Sequence, residues 1–171
     1  MRISILLLFL FASFEGQSQI SCKDFLDKWD RMEDYLIDMA ECMPDSLYSF
    51  KPVDEVFSFD QQLHHIVNHL NVIDRSFLLT RISGNNKIEY KTLSKLERIA
   101  QLHSIFQDVR ETIFLLHPED MIVMQDFKPA GKMLSKSDFL FLLLHHTTHH
   151  AGQMVIYLRL NGIKPPRYVG W

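Results

Sequence analysis

The 171-residue chain is 47% hydrophobic, enough to bury a sizeable core, which excludes an intrinsically disordered protein. Its net charge is -3 with histidine neutral, and no basic stripe interleaves with aromatics, so a nucleic-acid partner is not expected. The unusual count is nine histidines, gathered mainly at 64–69 and 145–150.

Residues 1–18 read as a signal peptide and 19–171 as one domain. Arg2 gives a small positive start, and 3–11 is an apolar run. At about nine residues it is too short to span a bilayer, which takes about 20, and it suits a signal-peptide core. Gly16 and Ser18 fit the small-residue positions of a cleavage site. The same run would also suit the buried first turn of a core helix. Export to the periplasm or the exterior is the expectation, with no stable membrane insertion after processing. A lipid anchor on Cys22 fits less well, because Gln19, Ile20 and Ser21 match a lipobox poorly. Cys22 and Cys42 are the only cysteines. On one helix they would lie about 30 Å apart, far beyond a disulfide's reach, so each is expected to be a free thiol.

Four amphipathic helices follow. Phe25, Trp29, Met32, Leu36 and Met39 recur at helical spacing over 22–42, and Pro44 ends that helix. After a connector over 43–57, Ser58 and Gln61 form a capping-box pattern. The second helix should run to about Ile82 on the stripe Phe59, Leu63, Ile66, Leu70, Ile73 and Phe77, and stop at 83–86, Ser-Gly-Asn-Asn. Thr92 or Ser94 caps the third, whose core face is Leu96, Ile99, Leu102, Ile105, Phe106, Val109 and Ile113, and which ends at His117-Pro118. His103 and His117 stand alone and read as solvated or capping residues. Residues 118–134 form a long connector of the kind often used as a lid; 121–124 suits a short strand but has no evident partner. The fourth helix opens at Ser135, with Asp138 three residues on, and stops at Asn161-Gly162 before Pro165-Pro166. The fold class is therefore all-α, a four-helix bundle.

Four histidines fall within 145–150, inside the last helix. Residues four apart on a helix share a face, so His146 and His150 lie within about 40° of Phe139, Leu143, Gln153 and Tyr157, on the side that should face the core. His145 lies about 120° away. Two inward imidazoles one turn apart can converge on one ion, and neutral imidazole is the commonest biological metal ligand. On the second helix His64 falls on the polar face with Asp60, Asn68 and Asn71 and reads as solvated. His65 and His69 share the edge of the apolar stripe, and periodicity alone does not choose between them as a third ligand. Three protein ligands would leave a position open for water or substrate. No histidine has an acidic residue three positions before it, which excludes the Glu-x-x-His pattern of di-iron bundles. HExxH, CxxCH, GxGxxG, P-loop and GxSxG motifs are absent.

The pattern His146-x-x-His149-His150-x-Gly152-Gln153, then Tyr157-Leu158-Arg159-x-x-Gly162-x-x-Pro165-Pro166, resembles the DinB/YfiT-like family of metal-binding four-helix bundles. Phe59-x-x-Gln62-Leu63-x-His65-Ile66 is similar to that family's first ligand motif. The resemblance implies His65, His146 and His150 as metal ligands, in place of the alternative with His69. It implies a divalent ion, nickel or zinc first, with iron or manganese after them, and a homodimer. It also implies a metal-dependent enzyme of hydrolase or thiol S-transferase type acting on a small molecule. An ion that lowers the pKa of bound water or thiol would supply the nucleophile, with Gln153 and Tyr157 as candidate orienting groups. The second reading is a non-catalytic, stress-associated bundle whose ion is structural. A third is a plain bundle that binds a partner helix or a membrane.

Overall fold

A computed structural model describes residues 22–79 and 87–169. The signal peptide expected over 1–18 lies outside them, as does the side chain of Cys22; Cys42 is a free, exposed thiol. Four helices form the bundle: α1 (Cys22–Cys42), α2 (Phe59–Ile73), α3 (Lys95–Leu115) and α4 (Lys136–Leu160). The first and second helices each pack against both the third and the fourth. The expected all-α architecture is the observed one. No helix among the described residues is long and apolar enough to cross a membrane.

The predicted apolar stripes face inward. Trp29, Leu36 and Met39 of α1 meet Phe59, Leu63 and Leu70 of α2, Phe106 and Val109 of α3, and Phe139 and Leu143 of α4 in one core. Trp29 stacks on Phe106 at 4.5 Å between ring centroids, and its indole N–H donates to the Phe106 carbonyl at 3.1 Å. That bond satisfies the one polar atom of the buried ring. Ser58, Ser94 and Ser135 close reciprocal capping boxes with Gln61, Glu97 and Asp138, so three helix starts sit where the sequence places them.

Four expectations need correction. First, α2 does not keep α geometry to Ile82. It ends at Ile73 and widens into a π-turn over Asp74–Leu78, where the Leu79 N–H bonds to the Asp74 carbonyl at 2.9 Å. Phe77, within that turn, lies on Phe139, ring centroids 4.4 Å apart. Second, the connector does contain a strand with a partner. β1 (Met124–Phe127) pairs antiparallel with β2 (Lys132–Ser135), Met124 opposite Ser135 and Phe127 opposite Lys132. Gly131, at φ 61°, turns the hairpin. Phe127 anchors it edge-on to Phe77 and Phe139.

Third, Leu96 is 78% exposed, whereas Arg98 is fully buried. Residues two apart point to nearly opposite sides of a helix, so turning Arg98 inward turns Leu96 out. Fourth, the polar face of α2 is not solvated. Residues 87–91 cross it: the Ile88 N–H donates to Asn68 at 2.7 Å and the Tyr90 hydroxyl to Asp60 at 2.9 Å. Arg98 then grips Asp60 from Nε (2.6 Å) and Nη2 (3.1 Å). His64 is covered by the same segment, edge-on to Tyr90 at 5.3 Å. His103 is exposed, as expected of a solvated residue, while its Nδ1 lies 2.6 Å from the buried carboxylate of Glu33. The His117 N–H is bonded by Asp120 at the start of a 3-10 turn, which is a capping arrangement.

Candidate metal centre

The site lies where α2 and α4 face each other. Each helix turns a histidine-bearing edge toward the other. His65 projects from α2, and His146 and His150 from successive turns of α4, so one ring nitrogen from each lies within 4.8 Å of the others. His65 Nε2 and His146 Nε2 are 3.2 Å apart. The ring centroids of His65 and His146 both lie 4.5 Å from that of His150. Metal–nitrogen bonds of about 2.0–2.1 Å at tetrahedral or square angles set ligand nitrogens about 2.9–3.4 Å apart. The His65–His146 separation falls within that span, and the group of three nitrogens is compatible with a small divalent ion.

Burial keeps the rings neutral, the form that coordinates. Desolvation lowers His65 below its ordinary range. Desolvation first, then repulsion from the neighbouring imidazoles, pushes His146 and His150 down to about 3. A chain of hydrogen bonds fixes which nitrogen of His150 is free. The Tyr157 hydroxyl donates to the Phe57 carbonyl at 2.8 Å. Gln62 Nε2 donates to Gln153 Oε1 at 2.7 Å and to the Tyr157 oxygen at 3.2 Å. The Gln62 amide is thereby oriented with its oxygen toward His150, whose Nδ1–H donates to it at 2.7 Å. Directional logic assigns the proton to Nδ1 and leaves Nε2 with a lone pair. Metal-ligating histidines are commonly held in this way through their second nitrogen.

His146 is held differently. Its Nδ1 is buried without a hydrogen-bond partner among the described residues, and its ring lies flat on His69, centroids 3.6 Å apart and planes 13° from parallel. His69 therefore flanks the cluster rather than joining it. Desolvation, again with help from the neighbouring imidazoles, lowers His69 to about 4. His149 accepts from Gln153 Nε2 at 2.8 Å at the exposed edge. His145 points outward beside Phe141, as its position on α4 implies. No described carboxylate joins the group of three nitrogens.

The structure thus brings together the three histidines that the resemblance implies and sets His69, which periodicity leaves as an alternative to His65, beside them. Sequence reasoning missed the part played by Gln62. The signal was available: Gln62 sits three residues before His65 and shares its helix edge. What it lacked was the register between α2 and α4, which decides that the amide meets His150, Gln153 and Tyr157.

Comparison with known proteins bears on the fold and the family. A search of curated proteins returns no match. Among solved structures the chain is similar to a DinB-like protein from Bacillus cereus ATCC 10987, with TM-score 0.74 and 22% identity, covering 86% of this chain and 97% of that one. It is also similar to the DinB-like protein YjoA from Bacillus subtilis, with TM-score 0.65 and 14% identity, covering 84% and 95%. At these identities the likeness is one of fold. The model of the DinB family matches residues 17–170. That match spans nearly the whole chain, including both histidine-bearing helices: the chain belongs to the DinB family.

Proposed function

We propose that His65, His146 and His150 hold a divalent metal ion and that the protein is a metal-dependent enzyme acting on a small molecule, of hydrolase or thiol S-transferase type. The observation that carries this reading is the convergence of three neutral imidazole nitrogens from two helices, with His150 held in the ligating tautomer by Gln62. An all-nitrogen donor set suits nickel or zinc first, and iron or manganese after them. A bound ion would supply Lewis acidity toward water or a substrate heteroatom. The protein's own contribution is positional. Gln62 orients His150, Gln153 and Tyr157 orient Gln62, and His69 supports the plane of His146. His65 is only half-buried beside the exposed Phe57 ring, 5.3 Å away, which gives the cluster a side open to substrate.

One observation favours a structural ion as the second reading. No described carboxylate stands in the cluster to act as a general base, and the three ligands clip α2 to α4. Metal analysis of untagged protein, with the single variants His65→Ala, His146→Ala and His150→Ala, tests the shared premise. Stoichiometric metal in the parent and loss in each variant is expected. Sub-stoichiometric metal, unchanged by the substitutions, would overturn both readings. Turnover of an activated ester or a thiol-plus-electrophile probe by the metal-loaded form only, together with exchangeable metal-bound water, separates enzyme from structural clip.

A further inference from the structure

Behind α4, away from the histidines, a cavity of about 90 Å³ lies between α1 and α4 under the C-terminal segment. Lys28, Arg31 and Tyr35 of α1, Leu144 of α4 and Tyr168 are among the residues that line it, and among the described residues none of the lining is acidic. That is notable on this helix. Asp24, Asp27, Asp30, Glu33, Asp34, Asp38 and Glu41 all belong to α1, yet among the described residues neither Lys28 nor Arg31 forms an ion pair. Arg31 Nε is buried with no hydrogen-bond partner among the described residues. A buried guanidinium donor left unmatched costs stability, and a bound water or anion is one way to satisfy it. Tyr35 and Tyr168 meet edge-on, ring centroids 5.7 Å apart, and with Leu144 give the cavity apolar, aromatic lining beside its cations.

We infer that this cavity is a binding site for a small organic anion, a carboxylate or phosphate head on a short apolar stem, with Arg31 and Lys28 taking the head. Guanidinium matches the geometry of both oxyanions, and charge-assisted hydrogen bonds are the strong ones. A cavity of about 150 Å³ accommodates benzene, so this smaller one takes a head and a few carbons. Leu144 and Thr148 precede His146 and His150 by two positions, about 160° around α4, so the anion site and the metal centre lie on opposite sides of one helix. The inference does not depend on the metal reading.

Calorimetric titration of the purified, metal-free protein with inorganic phosphate, and separately with butyrate, tests it. At least one probe should bind saturably, and the one that does identifies the head group. Arg31→Met should weaken that binding at least about tenfold. His146→Ala should retain it, which separates this site from anions drawn to the metal centre, and Lys164→Met should leave it unchanged. In NMR spectra of the unsubstituted protein the probe should shift amides of 28–35 and 144–148. Lys28→Met, also predicted to weaken binding, replaces the arginine variant if that one does not fold. Failure of both probes to saturate, undiminished binding in Arg31→Met, or shifts confined to other surfaces would overturn the site.

Discussion

Gln62 is the residue on which the geometry of the site turns. Its carbonyl holds the Nδ1–H of His150 and its amide is aimed by Gln153 and Tyr157, so the tautomer of His150 depends on an uncharged residue one helix away. Gln62→Leu keeps all three imidazoles but removes that restraint. It is expected to weaken metal affinity about 10–100-fold, read by competition with a chromophoric chelator; unchanged affinity would contradict the role. The lowered histidines also set a pH dependence for the metal-free protein. His65, His69, His146 and His150 titrate below the 6.5 of an unfolded chain, His69 at about 4 and His146 and His150 at about 3. As pH falls through 6.5 the unfolded chain takes up protons that the folded one refuses. Their stabilising contribution is therefore complete above 6.5 and is lost as pH falls toward the folded values. Urea midpoints of the chelated protein should fall across that window. A midpoint that stays flat from about pH 7 to about pH 4 would contradict it.

The second helix holds buried polar groups at both of its ends. At its N-terminal end, buried Asp60 receives two bonds from fully buried Arg98 and a third from Tyr90, tying α2 to α3 and to the 87–91 segment. Asp60→Ala would strand the guanidinium in the core and is expected to cost about 3–5 kcal/mol. Calorimetric unfolding reads this, and a loss below about 1 kcal/mol would show the pair to be solvated. At the other end, Asp74 opens the π-turn almost fully buried. Desolvation first, with the charge of Asp108 adding and a bond from Thr112 opposing, raises it from 3.8 to about 6. Here the folded chain holds the proton more tightly. The contribution to stability is complete below 3.8 and lost as pH rises through about 6. Asp74→Asn should then stabilise the protein at neutral pH, by about 1–3 kcal/mol, and not below pH 3.8. A stabilisation that does not change with pH would show that the carboxyl is already charged in the fold.

At the scale of the whole molecule, the bundle and most helix starts were legible because they are local. Three capping boxes and a stripe of core residues on each helix need only a few neighbouring positions to read. Partners far along the chain were not legible. The β1–β2 hairpin joins strands too short to show alternation, and the solvated face assigned to α2 was covered by a segment about twenty residues on. The candidate site was legible in part for the same reason. His146 and His150 share a face by spacing alone, whereas His65 and His69 are separated only by packing, which stacks one on His146 and points the other at its Nε2. An ion that joins α2 to α4 binds only the folded chain. It should raise stability by about 4 kcal/mol at a free concentration a thousand times its dissociation constant. The most direct measurement is an anomalous-scattering map from crystals of the untagged, as-purified protein. One metal peak bonded by His65, His146 and His150, at about 2.0–2.1 Å from each nitrogen, is the expected result. Bound metal located elsewhere, or no peak between those rings after soaking with nickel or zinc, would contradict it.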